Sequence, residues 1–242
     1  MERNVKNGPK PTFLNLSEEK RRRILQAASR EFAEKGYSKA SVNAIVKATG
    51  IAKGSLYQYF HGKEQLFLYL FEDFLAHVKQ AVKEAVEGSP DGLFFDRIAA
   101  VFTAGQRFVQ SYPEYYQIYL RVLFEKEMPL RDLLLQRIRL FSADYFGPLC
   151  DRCKSQGQIR DDVATDQIIF IVDALLDRHL QDYAQRLATE GQGADEKTAH
   201  QAAQDAAEAL LKILQHGLAK DFKGKRQKAE CSRQKETQKR LF

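Results

Sequence analysis

The 242-residue chain has no tryptophan, only 3 cysteines and only 6 prolines. Three cysteines in so long a chain do not form a disulfide framework, which favours a reducing compartment and predicts a cytoplasmic protein. No run of about 18 uncharged apolar residues occurs, and the first residues lack the apolar stretch of a secretory signal. Hydrophobic residues nevertheless make up 44% of the chain, enough for a sizeable core. We therefore expect a folded protein without a membrane span.

The net charge of +6 is distributed unevenly along the chain. Residues 1–62 carry +7 and residues 219–242 carry +6, whereas residues 63–218 carry −7. Basic ends on an acidic body favour binding of a polyanion such as nucleic acid, with compositional drift as the alternative. The basic tail is expected to be partly disordered, and it serves either non-specific DNA affinity or solubility.

The first part of the chain predicts three helices in close succession. Ser17 is a good N-cap for the first, and Gly36 is expected to end it. Ser41 and Gly50 bound a second, short helix, and residues 52–60 form a third. The second and third, joined by a tight turn, have the spacing of a helix-turn-helix.

A long helix is predicted to follow, from Lys63 to about Glu87. Beyond it the chain shows only helical periodicity, over roughly residues 93–111, 113–126, 129–155, 163–188 and 195–218. No stretch alternates with period two, so strands are not expected. The chain therefore predicts an all-α fold.

The third short helix has an unusual exposed face. Leu56 and Phe60 are predicted to point inward, and the outward positions are Lys53, Ser55, Tyr57, Gln58 and Tyr59. No acidic residue occurs between Ala48 and Lys63. Tyrosine and lysine can donate to phosphate oxygens, serine and glutamine can reach base edges, and Gly54 lets the backbone approach DNA closely. At the start of the long helix, Lys63 and the free amides predict a phosphate site. For Tyr57 the alternative is a ring packed between helices with a solvated hydroxyl.

Residues 24–66 resemble the N-terminal DNA-binding domain of TetR/AcrR-type bacterial transcriptional regulators. The resemblance is carried by ILQAASREFAEKGY at residues 24–37 and by SVNAIVKATGIAKGSLYQYFHGKEQL at residues 41–66. It implies a three-helix helix-turn-helix domain joined by a long helix to a larger helical domain that binds ligand and dimerises. The expected segments are a flexible arm (1–16), the DNA-binding domain (17–63), the effector-binding and dimerisation domain (64–218) and the basic tail (219–242).

The resemblance and the exposed face together imply a set of residues that contact double-stranded DNA. We expect phosphate contacts from Ser41, Tyr57, Tyr59 and Lys63, base or groove contacts from Asn43, Lys53, Ser55 and Gln58, and close backbone approach at Gly54.

The resemblance also implies a homodimer that reads an inverted-repeat operator, with half-sites about 34–36 Å apart. Aliphatic and small residues on two helices late in the chain could form the dimer interface, in which two helices from each protomer pack as a four-helix seam. They are Ile168, Ile169, Val172, Leu175, Leu176, Ala206, Ala209, Leu210, Ile213 and Leu214. The alternative is that these helices only close the core of one protomer.

A small hydrophobic or aromatic effector is the second partner that the resemblance implies. Half-buried aromatic side chains could line its pocket. The candidates are Phe74, Phe102, Phe108, Tyr112, Tyr115, Tyr116, Tyr119, Phe141 and Tyr145. Our hypothesis is a repressor released from its operator by this effector, and the alternative is an effector-independent architectural DNA-binding protein on the same fold.

An enzyme is not expected, because the chain lacks the common nucleophile, metalloprotease, phosphate-loop and dinucleotide motifs. Cys150 and Cys153 form a single CxxC pair without two further zinc ligands nearby, so no metal site is expected. A thiol switch is the less favoured alternative to two cysteines that are simply neighbours on a helix. No cofactor and no catalytic residue are predicted.

Overall fold

The structure is a computed structural model that describes residues 8–87, 92–126, 128, 130–190 and 196–219. Within these residues the chain forms ten α-helices and no strand. The helices are α1 (Pro11–Leu14), α2 (Glu18–Lys39), α3 (Val42–Thr49), α4 (Lys53–Tyr59), α5 (Lys63–Glu87), α6 (Phe94–Ser111), α7 (Pro113–Phe124), α8 (Arg131–Ser155), α9 (Thr165–Glu190) and α10 (Glu196–Leu218). The expectation of an all-α fold is confirmed.

Local capping signals set the ends of the first helices. The Ser17 hydroxyl accepts a hydrogen bond from the amide of Lys20 at 3.4 Å, and the Ser41 hydroxyl accepts one from the amide of Ala44 at 3.4 Å. Gly50 ends α3 in the left-handed conformation at φ 67°, which glycine adopts without the steric cost of a Cβ. These three residues have the capping roles that the sequence predicts.

Gly36 ends the regular part of the first helix as expected, and α2 spans it only as a kinked helix. It lies at φ 70°, ψ 167°, which is not helical, so the long helical segment that begins at Glu18 ends there and a short second segment runs on to Lys39. Just before Gly36, the guanidinium of Arg121 donates to the carbonyls of Ala33 at 2.7 Å and Glu34 at 2.9 Å. A Cβ at position 36 would lie 3.0 Å from the Arg121 Nη1 atom. Glycine is therefore favoured by the left-handed backbone conformation, and a Cβ here would also crowd the Arg121 side chain of α7.

The chain divides into two compact units, described here by themselves. The first comprises residues 1–83 and 107–139 and the second residues 84–106 and 140–242, each within the described part of the chain. In the first unit α2 packs against both α3 and α7. Leu56 and Phe60, predicted to point inward, are almost fully and fully buried there together with Phe32 and Ile45, and Leu25 packs partly buried against this core.

The expectation of a flexible arm over residues 1–16 needs a correction. Pro11–Leu14 form helix α1, and Phe13 is completely buried in the core of the first unit. An apolar ring that reaches a core fixes the backbone that carries it, because exposing the ring again costs about 1.5–3 kcal/mol. Residues 1–7 and the basic tail from residue 220 onward lie outside the described residues.

In the second unit α9 packs against α10. Ile168, Val172 and Leu214, which we expected in a dimer seam, are buried within the protomer at 0%, 1% and 6% exposure. They form part of the protomer's own core, since each already has apolar neighbours to bury against. Three large apolar side chains stay exposed on the described parts of these helices, namely Phe170 at 72%, Ile213 at 69% and Ile171 at 37%.

Candidate nucleic-acid interface

Helices α3 and α4 are two short helices joined by the turn at Gly50. Two hydrogen bonds at Ser41 stabilise the start of α3. The Ser41 amide donates to the Glu31 carboxylate at 2.8 Å, and the Ser41 hydroxyl caps the helix. Ala52 precedes α4 and makes no side-chain cap, so the first amides of α4 have no side-chain acceptor there. Such amides are the backbone groups that hydrogen-bond phosphates at a helix start.

The inward face of α4 anchors it to the first unit. Leu56 is 2% exposed and Phe60 is completely buried. Tyr59, which we expected on the outward face, is only 7% exposed, and its ring centroid lies 5.9 Å from that of Phe13. The prediction of an outward Tyr59 is wrong, because Tyr59 lies three residues after Leu56 and hence on the same side of the helix.

The outward face of α4 is polar and without negative charge. Lys53, Gly54, Tyr57 and Gln58 are exposed, and Ser55 is half-buried. Tyr57 keeps 44% of its surface accessible, so its ring is not packed between helices. On α3, Asn43 is exposed and the capping residue Ser41 is half-buried. The structure thus brings these predicted residues onto one pair of adjacent helices, and their contacts with DNA stay predictions.

Lys63 has a different role from the phosphate contact that we expected. Its ammonium donates to the carbonyls of Tyr37 at 2.8 Å, Ser38 at 3.1 Å and Ala40 at 3.2 Å. It also lies 4.8 Å from the centroid of the Tyr37 ring. An ammonium has three donors, and here all three are used on the C-terminal carbonyls of α2. Lys63 therefore caps α2, and we expect its engaged ammonium not to anchor a phosphate.

Lys63→Met should separate these two roles. We expect the free energy of unfolding to fall by about 1–3 kcal/mol, because charge-assisted hydrogen bonds to three carbonyls are lost. The slope of log affinity for duplex DNA against log salt should not change, whereas loss of a phosphate contact would reduce it by about 1. Denaturant titration and salt-dependent binding measure the two quantities.

Lys53→Met is the matched control for that substitution. Its side chain is exposed, so the stability change should stay below about 0.5 kcal/mol while DNA binding weakens. A reduced salt slope in Lys63→Met with unchanged stability would restore the phosphate role.

Six of the nine aromatic residues predicted for an effector pocket lie together in the first unit. The ring of Phe74 has its centroid 5.7 Å from that of Phe108 and 5.9 Å from that of Tyr119. We call these six the first-unit aromatic cluster: Phe74, Phe108, Tyr112, Tyr115, Tyr116 and Tyr119. The other three, Phe102, Phe141 and Tyr145, belong to the second unit.

The first-unit aromatic cluster has a polar edge that sequence reasoning missed. The Tyr115 hydroxyl donates to the Asp73 carboxylate, and the His77 Nδ1 atom lies 3.6 Å from the Asp73 Oδ2 atom. Burial raises the pKa of Tyr115, and the bond to Asp73 raises it further, so the hydroxyl stays protonated and remains a donor. The i, i+4 spacing of Asp73 and His77 is the signal that could have found this pair.

The two cysteines of the CxxC pair are buried, and burial disfavours their reactive thiolate form. Burial raises the pKa of the Cys150 thiol to about 11 and also raises the pKa of Cys153. Thiols with raised pKa values carry little thiolate near neutral pH, and this opposes the alternative of a thiol switch. In the described part of the chain, no three His, Cys, Asp or Glu side chains gather closely enough to hold a metal ion. Over the same residues, every helix falls short of the length or the apolar character needed to cross a bilayer.

The two short helices, their glycine turn and the acid-free polar face of α4 define a helix-turn-helix DNA-binding protein. The family model for bacterial regulatory proteins of the tetR family matches residues 24–70. This match and the geometry together support a TetR-family transcriptional regulator. From here on α4 is called the recognition helix.

Curated relatives and solved structures agree with this assignment. The probable acrEF/envCD operon repressor of Escherichia coli K12 is 22% identical over 176 residues, 69% of this chain and 77% of that protein. The regulators YhgD and YvdT of Bacillus subtilis match over only 39% and 36% of their own length. A TetR family transcriptional regulator from Chloroflexus aurantiacus J-10-FL has a TM-score of 0.62 at 26% identity, covering 87% of this chain and 98% of that one.

A further solved structure shows the fold alone, at 18% identity. It is the transcriptional regulator FadR of Bacillus subtilis, solved in complex with stearoyl-CoA, with a TM-score of 0.63. The match covers 80% of this chain and 96% of FadR.

Proposed function

We propose that this TetR-family regulator is a homodimeric repressor that binds an inverted-repeat operator and is released by a small hydrophobic or aromatic effector. The observation that carries the proposal is the exposed, acid-free face of the recognition helix. Lys53 and Gln58 can reach base edges and Tyr57 can donate to a phosphate oxygen, because all three are exposed while Leu56 and Phe60 hold the helix to its core.

Two exposed apolar side chains support the homodimer. Phe170 on α9 and Ile213 on α10 are large, and each would lose most of its accessible surface against a second copy of the same helices. A two-fold axis through such an interface presents two recognition helices to one face of the duplex. A relative named as a probable operon repressor supports repression over activation.

The first-unit aromatic cluster supports the effector. Apolar walls with few polar groups are typical of small-molecule sites, and here the polar groups are Asp73, His77 and the hydroxyls of the four tyrosines, of which that of Tyr115 donates to Asp73. That FadR of Bacillus subtilis was solved with stearoyl-CoA fits a hydrophobic ligand in this fold. The effector would act by binding the DNA-incompetent dimer more tightly than the DNA-competent one.

Selection of bound duplexes from a random pool tests the proposal. We expect an inverted repeat to be enriched. Tyr57→Phe should bind every duplex about fivefold more weakly, since one phosphate hydrogen bond is lost without any change of base contact. Lys53→Met and Ser55→Ala should instead change which bases are enriched.

The same selected duplex then tests the effector. Hydrophobic and aromatic compounds are titrated into the complex, and at least one should lower the affinity for the duplex. The repressor proposal fails if the protein prefers no inverted repeat over scrambled duplex in moderate salt. If every compound leaves the affinity unchanged, only the effector part fails and the architectural alternative is favoured.

A further inference from the structure

The N-terminal segment of residues 8–16, called the N-terminal strap, completes the hydrogen bonds of the recognition helix. The last four carbonyls of an α-helix have no partner inside the helix. In the recognition helix these belong to Leu56, Tyr57, Gln58 and Tyr59. The first accepts from the amide of Phe60 at 2.8 Å.

The other three carbonyls are satisfied by two residues of the N-terminal strap. The Lys10 ammonium donates to the Tyr57 carbonyl at 2.7 Å, and the Lys10 amide donates to the Tyr59 carbonyl at 2.8 Å. The Thr12 hydroxyl donates to the Gln58 carbonyl. The recognition helix has no basic residue in its own last turn, so Lys10 also supplies the positive charge that stabilises the negative end of the helix dipole.

An aromatic anchor holds the N-terminal strap in this position. The Phe13 ring is completely buried, with its centroid 4.7 Å from that of Phe60 and 5.6 Å from that of Tyr69. Phe60 directly follows the recognition helix and Tyr69 lies on α5. The anchor therefore joins the strap to both elements that flank the end of the helix.

Two further hydrogen bonds fix the ends of the N-terminal strap. The Gln65 side-chain amide donates to the Gly8 carbonyl at 2.5 Å and accepts from the His61 amide at 2.7 Å. At the other end the Arg21 guanidinium donates to the Leu14 carbonyl at 2.7 Å. The strap is thus tied to α2, to α5 and to the loop after the recognition helix.

We infer that the N-terminal strap is a positioning element for DNA reading, in which Lys10 and Thr12 set the orientation of the recognition helix without contacting bases. The inference rests on the proposed function. A seven-residue helix is too short to be stable by itself. Its last turn carries Tyr57 and Gln58, and a base contact is lost when a side chain shifts out of hydrogen-bond geometry. Selectivity for the operator therefore depends on the strap.

Lys10→Met and Thr12→Val in the full-length chain test the inference, because each removes side-chain donors and leaves Phe13 in place. Affinity is measured for the duplex selected by the unaltered protein and for a scrambled duplex of equal length. We expect each variant to bind the selected duplex about fivefold more weakly and the scrambled duplex within about twofold of the unaltered protein. A purely structural role would lower both affinities together.

Thr12→Ser is the rescue control, since it keeps the hydroxyl, and it should restore the selectivity ratio. Thermal unfolding establishes a temperature at which every variant is folded, and binding is compared there. Unchanged selectivity in both Lys10→Met and Thr12→Val overturns the inference while leaving the proposed function intact. If the unaltered protein itself does not prefer the selected duplex over the scrambled one, both the proposed function and the inference are contradicted.

Discussion

Ile213→Asp will produce a folded protomer that has lost its high affinity for the operator. Ile213 is 69% exposed, so the substitution removes little buried surface within the protomer and should cost it less than about 0.5 kcal/mol. In the proposed homodimer the same position is covered by the second copy, where an unpaired carboxylate is strongly unfavourable. The charge therefore separates the protomers without unfolding them.

Loss of the dimer should have a large effect on DNA binding. Two linked recognition helices gain about 10²-fold to 10⁴-fold in affinity over one, because the second binding event is intramolecular. We expect affinity for the selected duplex to fall by about 100-fold or more, and the mass in solution to halve. Light scattering coupled to size exclusion and a binding titration measure the two effects.

Gln215→Asp is the matched control for Ile213→Asp. It adds the same charge to the exposed surface of α10, two residues further along and therefore on another side of the helix. It should leave both the mass and the affinity unchanged. A dimeric Ile213→Asp protein with full operator affinity would contradict the proposed interface.

Phe60→Ala will have the largest effect on stability among the substitutions considered. Phe60 is completely buried, with its ring centroid 4.7 Å from that of Phe13 and 5.8 Å from that of Tyr69. Truncating such a ring leaves a cavity and costs about 3–5 kcal/mol. Because Phe60 directly follows the recognition helix and contacts its N-terminal strap, the loss should also abolish selective DNA binding.

Phe124→Ala provides a control with the same chemical change. Phe124 ends α7 in the same unit and is 63% exposed, so its truncation should change the free energy of unfolding by less than about 0.5 kcal/mol. Denaturant titration of both variants measures the difference. Equal losses would show that the region around Phe60 is not the tight core that the ring contacts indicate.

The first helices illustrate which features can be predicted from sequence. Ser17, Ser41 and Gly50 act through the backbone groups within a few residues of themselves, so their capping roles follow from local chemistry. The long helix α5 was predicted from Lys63 to about Glu87 and has those bounds in the structure. The motif of residues 41–66 likewise predicted the family, because a helix-turn-helix is itself a local pattern.

The candidate interface shows where local reasoning ends. Lys63 looks like a phosphate ligand at a helix start, and only the packing of α2 beside α5 brings three carbonyls to its ammonium. Tyr59 was misplaced because a helix of seven residues has too few positions to define its inward face by periodicity. Lys10 and Thr12 were missed because their partners are 46 and 47 residues away along the chain.

By itself the sequence determined the helices from α2 onward, the order in which they follow, the helix-turn-helix and the exposed polar positions Lys53, Tyr57 and Gln58. Each depends on caps, periodicity and spacing over a few turns of helix. The tertiary structure alone decided that Phe13 is buried, that Lys63 caps α2, and that Phe170 and Ile213 stay exposed while Ile168 and Val172 do not. These outcomes depend on which distant residues compete for the same apolar surface or the same carbonyl, and that competition is settled only when the helices pack.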